Sequence, residues 1–333
     1  MSTDDQPFYL SRSENVGEAV AADDFLHAAP AVTEASLTET QYFGFGVPEH
    51  GIHGIGYLWH HPNLGTLTGG VWAFQGFKRT ALACELFDMR AWMDDRPLRG
   101  DLHDVRLDNG YAVQVLEPLK RHRSGYADAA RGNAFELEYT AVAPPVLYGN
   151  GKHFDQPMRV RGELTLRGRR YDVDAYTTRD RSWGKPRAET ASSAPPVGWA
   201  NGVFGDDFAF GCVAFDDARR MPEWHGRFAL PESALCAGGW IRREGRVRRV
   251  VQCFKRTERD PATQFARRVE MTLVEENGVD VEMTGEAFAA SEWQYMPNMR
   301  LALSAMRWTC GGRVAFGEMQ EGQWNDFLHA FLG

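Results

Sequence analysis

Alternating apolar and polar residues, interrupted by tight-turn dipeptides, run through most of this chain and constrain its fold more than any other feature. Asn109-Gly110 divides the run VRLDNGYAVQVL, and Asn277-Gly278 divides RVEMTLVEENGVDVEMTG. Asn-Gly favours the turns whose twist suits a pair of antiparallel strands. Three further runs turn at Gly168, at Gly205-Asp206 and at Glu244-Gly245. No helical pattern connects these hairpins, so we exclude a doubly wound α/β sheet and predict an all-β chain of barrels or sandwiches.

Helical periodicity is confined to the two ends of the chain. The segment ADDFLHAA near residue 25 predicts one short helix. The C-terminal QWNDFLHAFLG places Trp324, Phe327, Leu328 and Phe331 at helical spacing. This spacing predicts a terminal helix packed on a sheet, and its aromatic stripe is interpreted as core rather than as a cofactor site.

The length of 333 residues is long for one hydrophobic core and predicts two domains or one large all-β unit. The Pro-rich segment KPRAETASSAPPVG separates two regions that are dense in strand patterns. The strand pair at 158–179 is expected to lie between the two sheet systems, where ligand sites are common. We divide the chain into an N-terminal arm, a first β domain, a loop and a second β domain with the C-terminal helix, at residues 1–40, 41–184, 185–198 and 199–333.

The formal net charge of −8 and the pI near 5.7 give the chain no general attraction for nucleic acid. The arginines of RVRRVV, residues 246–251, fall at strand spacing and predict one solvated face. The N-terminus has no signal-peptide pattern, and no run of about 18 apolar residues predicts a membrane span. The cysteines lie far apart without a C-x-x-C pair, as is typical of buried thiols in a reducing compartment. We therefore expect a soluble, cytoplasmic protein without disulfides.

The run RDRSWG, residues 179–184, places charged residues and a Trp where a strand pattern ends. Alternation puts Arg179 on the apolar face and Asp180 on the other, so the two pair directly only across a β-bulge. An Arg on an apolar face is costly to bury without a carboxylate or ligand partner, and the alternative is an Arg that reaches solvent. We predict that the run lies between the two sheet systems beside a cavity, with Asp180 and Trp183 largely buried. Arg179 or Arg187 should then reach Asp180 or a carboxylate of the other sheet system.

A Gly-rich strand pattern carries most of the histidines. The stretch PEHGIHGIGYLWHHPN contains His50, His53, His60 and His61. No Cys or carboxylate completes a metal-ligand set around them, so no metal is expected. Tyr57 and Trp59 of the same stretch are predicted to line an interior face, with one His as a polar contact.

Other polar residues are harder to place from the pattern alone. His225, beside a Trp in PEWHGRF, either packs in the core or contacts substrate. In KHFDQP, the residues His153, Asp155 and Gln156 are interpreted as a turn. The chain has no G-x-S-x-G elbow, phosphate loop or dinucleotide fingerprint, so acyl transfer, phosphoryl transfer and nicotinamide chemistry lack support and no cofactor is expected.

The segment GKHFDQPMRVRGELTLRGRRYDVDAYTTRDRSWGKPR resembles the lipocalin-like AttH and carotenoid 1,2-hydratase (hydroxyneurosporene synthase) superfamily, and most closely its uncharacterised bacterial branch. That branch carries H-F-x-Q-P, a hairpin, and then R-D-H-S-W-G followed by Arg. The matching residues are His153, Phe154, Gln156, Pro157, Arg179, Asp180, Ser182, Trp183 and Gly184. The run GGRVAFGEMQEGQW resembles the closing strand of the family. This chain departs from the motif at Arg181, which replaces the His.

The resemblance implies two lipocalin-like β-barrels packed together around a ligand cavity. It also implies cofactor-independent hydration, dehydration or isomerisation of a hydrophobic small molecule, either terpenoid-like, steroid-like or aromatic. The expected partner is this substrate, with no nucleic acid and no membrane span. The alternative is a non-catalytic lipocalin-like protein that holds a hydrophobic ligand.

Asp180 is the candidate acid for such a reaction, because a carboxylic acid in a dry cavity can hold a proton for transfer to carbon. The flanking arginines favour the carboxylate instead, which would make Asp180 a base or an anchor and leave Arg179 to bind a substrate oxygen. Trp183 would stabilise a developing cation, and Tyr57 or His225 would position water or a departing hydroxyl. The remaining candidates for substrate binding are Trp59, His53 and Trp199.

Overall fold

The computed structural model describes residues 16–27, 36–98, 100–148, 151–186, 194–296 and 298–332. Within these ranges the strands form one open, curled sheet and one closed barrel, which confirms the prediction of an all-β fold with two packed sheet systems. Arg187 and half of the predicted loop at 185–198, residues 187–193, lie outside the described residues.

The secondary structure elements have the following bounds. The open sheet contains β1 (Gly17–Glu18), β2 (Leu37–Val47), β3 (Ile52–His61), β4 (Thr66–Gln75), β5 (Leu86–Asp94), β6 (Asp104–Arg106), β7 (Ala112–Glu117), β8 (Arg121–Asp128), β9 (Asn133–Ala141), β10 (Val146–Tyr148), β11 (His153–Leu166) and β12 (Arg169–Pro186). The barrel contains β13 (Val197–Val203), β14 (Phe208–Phe215), β15 (Cys236–Arg243), β16 (Arg246–Arg259), β17 (Ala266–Glu275), β18 (Asp280–Met296), β19 (Met299–Cys310) and β20 (Arg313–Trp324). One α-helix, α1 (Asn325–Leu332), follows β20, and short 3-10 helices span Ala21–Asp24, Pro48–His50, Ala81–Ala83, Arg96–Leu98, Ala218–Arg220, Pro222–Trp224 and Glu232–Ala234.

Both sheet systems are antiparallel. The open sheet follows the order β5-β4-β3-β2-β12-β11-β9-β8-β7-β6, with β10 paired to β11 and β1 to β10. The strand pair that was expected between the two sheet systems, β11 and β12, is therefore a central part of the open sheet. In the barrel each strand pairs with the next and β20 pairs back with β13, so closure removes the exposed edges.

The predicted turns all close hairpins of the structure, namely β6–β7, β11–β12, β13–β14, β15–β16 and β17–β18. Gly110 and Gly278 have φ values of 89° and 80°. Only Gly adopts this left-handed region without a steric cost, which explains why the Asn-Gly pairs mark these turns so clearly.

Apolar side chains form separate clusters inside the open sheet, inside the barrel and between the two. Phe43 is buried in the first, Phe210 and Trp308 in the second, and Trp72 and Trp240 in the third. The third cluster joins the outer face of the open sheet to the outer face of the barrel. The candidate site described below lies within this interface.

The C-terminal helix is present as predicted. The Phe327 ring of α1 packs against Trp224 with ring centroids 5.6 Å apart, so the aromatic stripe is indeed core. Trp324 is the last residue of β20 rather than a helical residue.

A network of buried charges fills part of the interior of the open sheet. The predicted helix near residue 25 is a 3-10 helix that ends at Asp24, whose side chain is fully buried. Arg179 Nη1 donates to Asp24 Oδ1 at 2.7 Å, and His122 Nε2 lies 2.9 Å from Asp24 Oδ2. Arg181 Nη1 donates to the Asp24 carbonyl at 2.7 Å, and its Nη2 donates to Glu39 Oε2 at 3.1 Å.

This network corrects the expectations for Arg179. The prediction that its carboxylate partner is Asp180 or comes from the other sheet system is wrong, because the partner is Asp24, 155 residues earlier in the chain. The guanidinium is fully buried and also donates to Gln156 Oε1 at 2.7 Å. Strand alternation directs it into the open sheet and away from the barrel, so Arg179 does not lie with the polar groups of the interface described below, and its role as a ligand for a substrate oxygen stays a prediction.

His122 makes the stability of this network depend on pH. Burial, followed by the charge of Arg179, lowers the pKa of His122 to about 4 despite its contact with Asp24. The unfolded chain binds this proton near its ordinary pKa of about 6.5, so native stability falls as the pH falls through the window between the two values. We expect the free energy of unfolding, measured with urea, to drop by about 3 kcal/mol across this window. His122→Asn should remove most of that drop, and an equally steep decline in this variant would contradict the assignment.

Candidate active site between the open sheet and the barrel

The run RDRSWG is part of β12, which pairs with β11 on one side and β2 on the other. Pairing with β2 continues through Ser182 and resumes at Lys185 after a register shift, so the prediction that the strand ends here is wrong, although a β-bulge is present just beyond Ser182. Asp180 and Ser182 lie on the outer face, which packs against the barrel, and the flanking arginines lie on the inner face. Asp180 is half-buried, which is less than predicted.

Trp183 is buried as predicted, but it does not join the interface with the barrel. Its ring stacks on His27 with centroids 4.1 Å apart and meets Phe154 edge-on at 6.2 Å. His27 also contacts Glu39 of the buried charge network. The Trp183 ring therefore packs against the N-terminal arm and not among the polar groups of the interface, and its role in substrate binding stays a prediction.

A row of polar side chains crosses the outer face of the open sheet. Asp155 of β11 lies opposite Asp180 of β12, Asp180 lies opposite Tyr42 of β2, and Tyr42 lies opposite Tyr57 of β3. Side chains opposite one another on one face have Cβ atoms about 5 Å apart. The row therefore brings two carboxyl groups beside two phenols.

The barrel supplies a third carboxyl group to this surface. Tyr42 OH donates to Glu318 Oε2 of β20 at 2.5 Å, and His53 Nε2 lies 3.1 Å from the same oxygen. Asn201 Nδ2 donates to Glu318 Oε1 at 2.9 Å, and Gln320 Nε2 lies 3.2 Å from it. Glu318 thus joins two strands of the open sheet to the barrel through charge-assisted hydrogen bonds.

The surroundings of Glu318 and Tyr42 determine which of the two side chains is protonated. Burial alone would raise the pKa of Glu318, but the hydrogen bonds from His53, Tyr42 and Asn201 outweigh it and hold the pKa below its usual value. Burial, together with the charge of Glu318, raises the pKa of Tyr42 well above its usual value. The resting cluster consequently has a charged carboxylate and a protonated phenol.

A second buried cluster surrounds Asp155. Its Oδ2 accepts from Tyr148 OH at 2.7 Å and from Trp240 Nε1 of the barrel at 3.0 Å. Its Oδ1 lies 3.0 Å from His153 Nε2, and His153 Nδ1 lies 3.2 Å from Ser182 Oγ. The interpretation of the KHFDQP segment as a turn is wrong, because these residues belong to β11.

The barrel backbone comes close to Asp155 because β14 has a glycine at the contact. A Cβ on Gly211 would lie 2.4 Å from Asp155 Oδ2, which is too close for any side chain. Burial, followed by the charge of Asp155, raises the pKa of Tyr148 well above its usual value, so its phenol also stays protonated.

Aromatic rings from both sheet systems line the interface next to these polar groups. The ring centroids of Tyr57 and Trp293 are 6.1 Å apart, and those of Tyr42 and Tyr57 are 6.4 Å apart, both edge-on. Trp59 is buried in the same apolar cluster, and Trp199 and Trp293 are half-buried against it. Such rings provide an apolar surface whose faces stabilise positive charge.

A narrow cavity of about 20 Å³ lies beside the Glu318 cluster. Its polar lining consists of His53, Tyr176, Thr177, Asn201 and Glu318, and its apolar lining includes Phe45, Phe288 and Phe316. This volume suits roughly one water molecule, which needs several polar partners of this kind.

Five predicted site residues lie on the two facing surfaces: Asp180, Tyr57, His53, Trp59 and Trp199. His225 does not join them. It is exposed and follows the 3-10 helix Pro222–Trp224, where the neighbouring Trp224 packs against α1. His225 therefore lies apart from the five residues of the interface, and its contact with substrate stays a prediction.

The sequence interpretation missed Tyr42 and Glu318, and it did not place Asp155 in the interface. Glu318 and Asp155 were both inside segments singled out for their family resemblance. The available signal was a carboxylate on a strand face that packs against another sheet, because such a group requires a partner. The local sequence pattern does not predict which residue that partner is, because the partners of Glu318 and Asp155 include residues far away in the chain.

Within the described ranges, no group of three or more His, Cys, Asp or Glu side chains is arranged to hold a metal ion. No helix in those ranges is long and apolar enough to cross a membrane. All five cysteines are present as free thiols.

A model of the family described as "Domain of unknown function (DUF7064)" matches residues 20–327. No curated protein matches the sequence. Among solved structures, a protein identified as AttH from Nitrosomonas europaea is similar, with a TM-score of 0.52 and 15% identity over 86% of this chain and 93% of that one. Kievitone hydratase from Nectria haematococca has a TM-score of 0.52 and 11% identity over 95% of this chain and 98% of that one. The protein CghA has a TM-score of 0.52 and 10% identity over 96% and 97%. These likenesses confirm the fold that the AttH resemblance predicted.

Proposed function

The chain belongs to the DUF7064 family, a domain family of unknown function, and on this premise we propose that it is a cofactor-independent hydro-lyase or isomerase acting on a hydrophobic small molecule between the open sheet and the barrel. The observation that carries this proposal is the Tyr42–Glu318–His53 cluster beside Asp180 on an aromatic interface. Acid and base groups set into an apolar surface are what proton transfer to and from carbon requires. Similarity of fold to a protein named kievitone hydratase supports the hydration arm of the proposal.

Asp180 is the proposed proton donor. The two arginines that flank it in sequence lie on the opposite face of β12, where Asp24 and Glu39 offset their charge. On its own face, Asp180 has the acidic neighbour Asp155. Alkene protonation needs a protonated carboxyl group, and we assign this proton to Asp180 because its side chain lies among the phenol and carboxyl groups of the row.

His53 is the proposed base that activates water. Its ring lines the cavity of about 20 Å³, and the Glu318 carboxylate holds it in place from the other side of the interface. Imidazole is the side chain best suited to exchange a proton near neutral pH. In hydration the proton of Asp180 forms the new C–H bond, water forms the C–O bond, and His53 takes the proton that water releases. Solvent exchange returns one proton to Asp180 and removes one from His53, so the sum is the addition of one water.

The non-catalytic alternative is a carrier that binds an apolar ligand on the same surface. The half-buried rings of Trp199 and Trp293 favour binding whether or not chemistry follows. The two functions differ in what Asp180 does, because a carrier does not need its carboxyl group.

The experiment incubates the protein in oxygen-18 water and deuterium oxide with a panel of terpenoid, steroid and aromatic alkenes and alcohols. We expect isotope incorporation with the wild-type protein and a loss of about a hundredfold or more with Asp180→Asn, while ligand binding changes by less than about threefold. Asp174→Asn is the matched control, since Asp174 lies on the same face of β12 but is exposed, and it should leave turnover unchanged.

Binding without isotope incorporation would favour the carrier. Equal turnover by the wild-type protein and Asp180→Asn would contradict the proposed role of Asp180.

A further inference from the structure

Arginines line one mouth of the barrel and have no part in the proposed reaction. Arg243 of β15 lies directly opposite Arg246 of β16, and Arg248 lies opposite Ile241. Ile241 and Val250 are buried inside the barrel. Because side chains alternate along a strand, the three arginines share the inner face with them and crowd the barrel opening. Of the RVRRVV arginines, Arg246 is exposed and Arg248 is half-buried on this face, whereas Arg249 lies on the other face of the strand, so the three do not share one face as predicted.

A cavity of about 250 Å³ opens at this mouth. It is lined by Ile241, Arg243, Glu244, Arg246, Arg248, Glu275 and Asn277. Six of these seven lining residues are charged or polar, and Ile241 is the apolar one. The cavity lies within the barrel and is separate from the polar interface with the open sheet.

The charges around the cavity are not balanced. Glu275 is fully buried, and its Oε1 accepts from Arg243 Nη2 at 2.5 Å while its Oε2 lies 3.6 Å from Arg248 Nε. The single carboxylate of Glu275 thus lies within ion-pair distance of both the Arg243 and the Arg248 guanidinium groups. In the described part of the chain, Arg246 has no carboxylate within ion-pair distance, and Glu244 has no cationic side chain within that distance. Like charges directly opposite on antiparallel strands repel, so Arg243 and Arg246 together favour an additional anion.

We propose that this mouth is a binding site for a phosphate group, held between Arg243, Arg246 and Arg248. Guanidinium groups bind phosphate oxygens in bidentate pairs, and three that converge on one cavity supply more donors than Glu275 can accept. The cavity exceeds the size of a single phosphate and includes the apolar Ile241 in its lining, which leaves room for an organic group of a phosphate monoester. The proposal is independent of the reaction assigned to the interface.

The test is isothermal titration calorimetry with inorganic phosphate and with phenyl phosphate, at constant ionic strength set by chloride. We expect one saturable site per chain. Arg246→Gln and Arg248→Gln should each weaken binding by about tenfold, the loss of one charge-assisted contact. Arg249→Gln is the matched control, because Arg249 lies on the same strand but faces outward toward Glu276, and it should leave the affinity unchanged.

The two probes separate the sources of the phosphate group. Tighter binding of phenyl phosphate identifies a phosphate monoester as the ligand, and equal binding identifies the free anion. Thermal denaturation in chloride checks that each variant is folded. If Arg246→Gln unfolds, Arg246→Lys replaces it, because Lys keeps the positive charge but lacks the paired N–H donors of a guanidinium group. The absence of saturable binding, or equal weakening by Arg249→Gln, would overturn the proposal.

Discussion

Asp24→Asn is expected to lower the free energy of unfolding by about 3–5 kcal/mol. Asp24 is fully buried and is the carboxylate that contacts both Arg179 and His122. Its removal leaves the Arg179 guanidinium charged in the interior of the open sheet, with Gln156 as its remaining side-chain acceptor. An unpaired buried charge is among the most destabilising changes a core can suffer. The measurement is urea denaturation at neutral pH.

The neighbouring acid provides the control for this prediction. Asp23 is half-buried in the same 3-10 helix, where it accepts from Val20 N and lies 3.3 Å from His27 Nε2. Asp23→Asn should cost less than about 1 kcal/mol, because the Asn side chain keeps an oxygen that accepts the cap hydrogen bond. The double variant with Arg179→Gln should recover part of the loss, because it removes the orphaned charge as well. A cost for Asp24→Asn no larger than that of Asp23→Asn would contradict the ion pair.

The same residue predicts acid sensitivity. Burial would raise the pKa of Asp24, but the charge of Arg179 and the hydrogen bond with His122 outweigh it and lower the pKa well below its ordinary value. The stabilisation is therefore complete at neutral pH and is lost as the pH falls below about 4, where the unfolded chain takes up the proton first.

The fold was predictable because its determinants are local. Turn residues such as Gly110 and Gly278 force a hairpin wherever they occur between alternating runs, and the absence of crossover helices leaves only antiparallel architectures. Closure of one sheet and not of the other depends on how β20 meets β13. This pairing joins strands that are far apart in the chain, and no local sequence pattern predicts it. The sequence was therefore compatible with two closed barrels, whereas the structure has one closed barrel and one open sheet.

In the candidate site, too, the locally determined features were predictable and the long-range contacts were not. Alternation along β12 correctly separated Arg179 from Asp180, since it depends only on neighbouring residues. The partners of these groups lie far away in the chain, with 155 residues between Arg179 and Asp24 and 276 between Tyr42 and Glu318. Long-range polar contacts of this kind are set by the packing of whole sheets, which explains why both were missed.

Tyr42→Phe and Glu318→Gln should each reduce turnover by about 10²–10⁴ in the reaction that the isotope panel identifies. The Tyr42 phenol stays neutral and donates a hydrogen bond that holds the Glu318 carboxylate in place. Glu318 in turn orients His53 beside the cavity. Loss of either partner is expected to disorder His53, the proposed base. Tyr139→Phe is the control, because Tyr139 is equally buried in the open sheet but on its inner face, and it should leave turnover unchanged.

The double variant distinguishes a catalytic unit from two separate contributions. If Tyr42, Glu318 and His53 act together, Tyr42→Phe combined with Glu318→Gln should lose little more activity than the worse single variant. Independent roles would instead give losses that multiply. A merely structural role would lower the unfolding free energy of the variants while leaving the turnover of the folded fraction and its pH profile unchanged, and that outcome would remove this cluster from the mechanism.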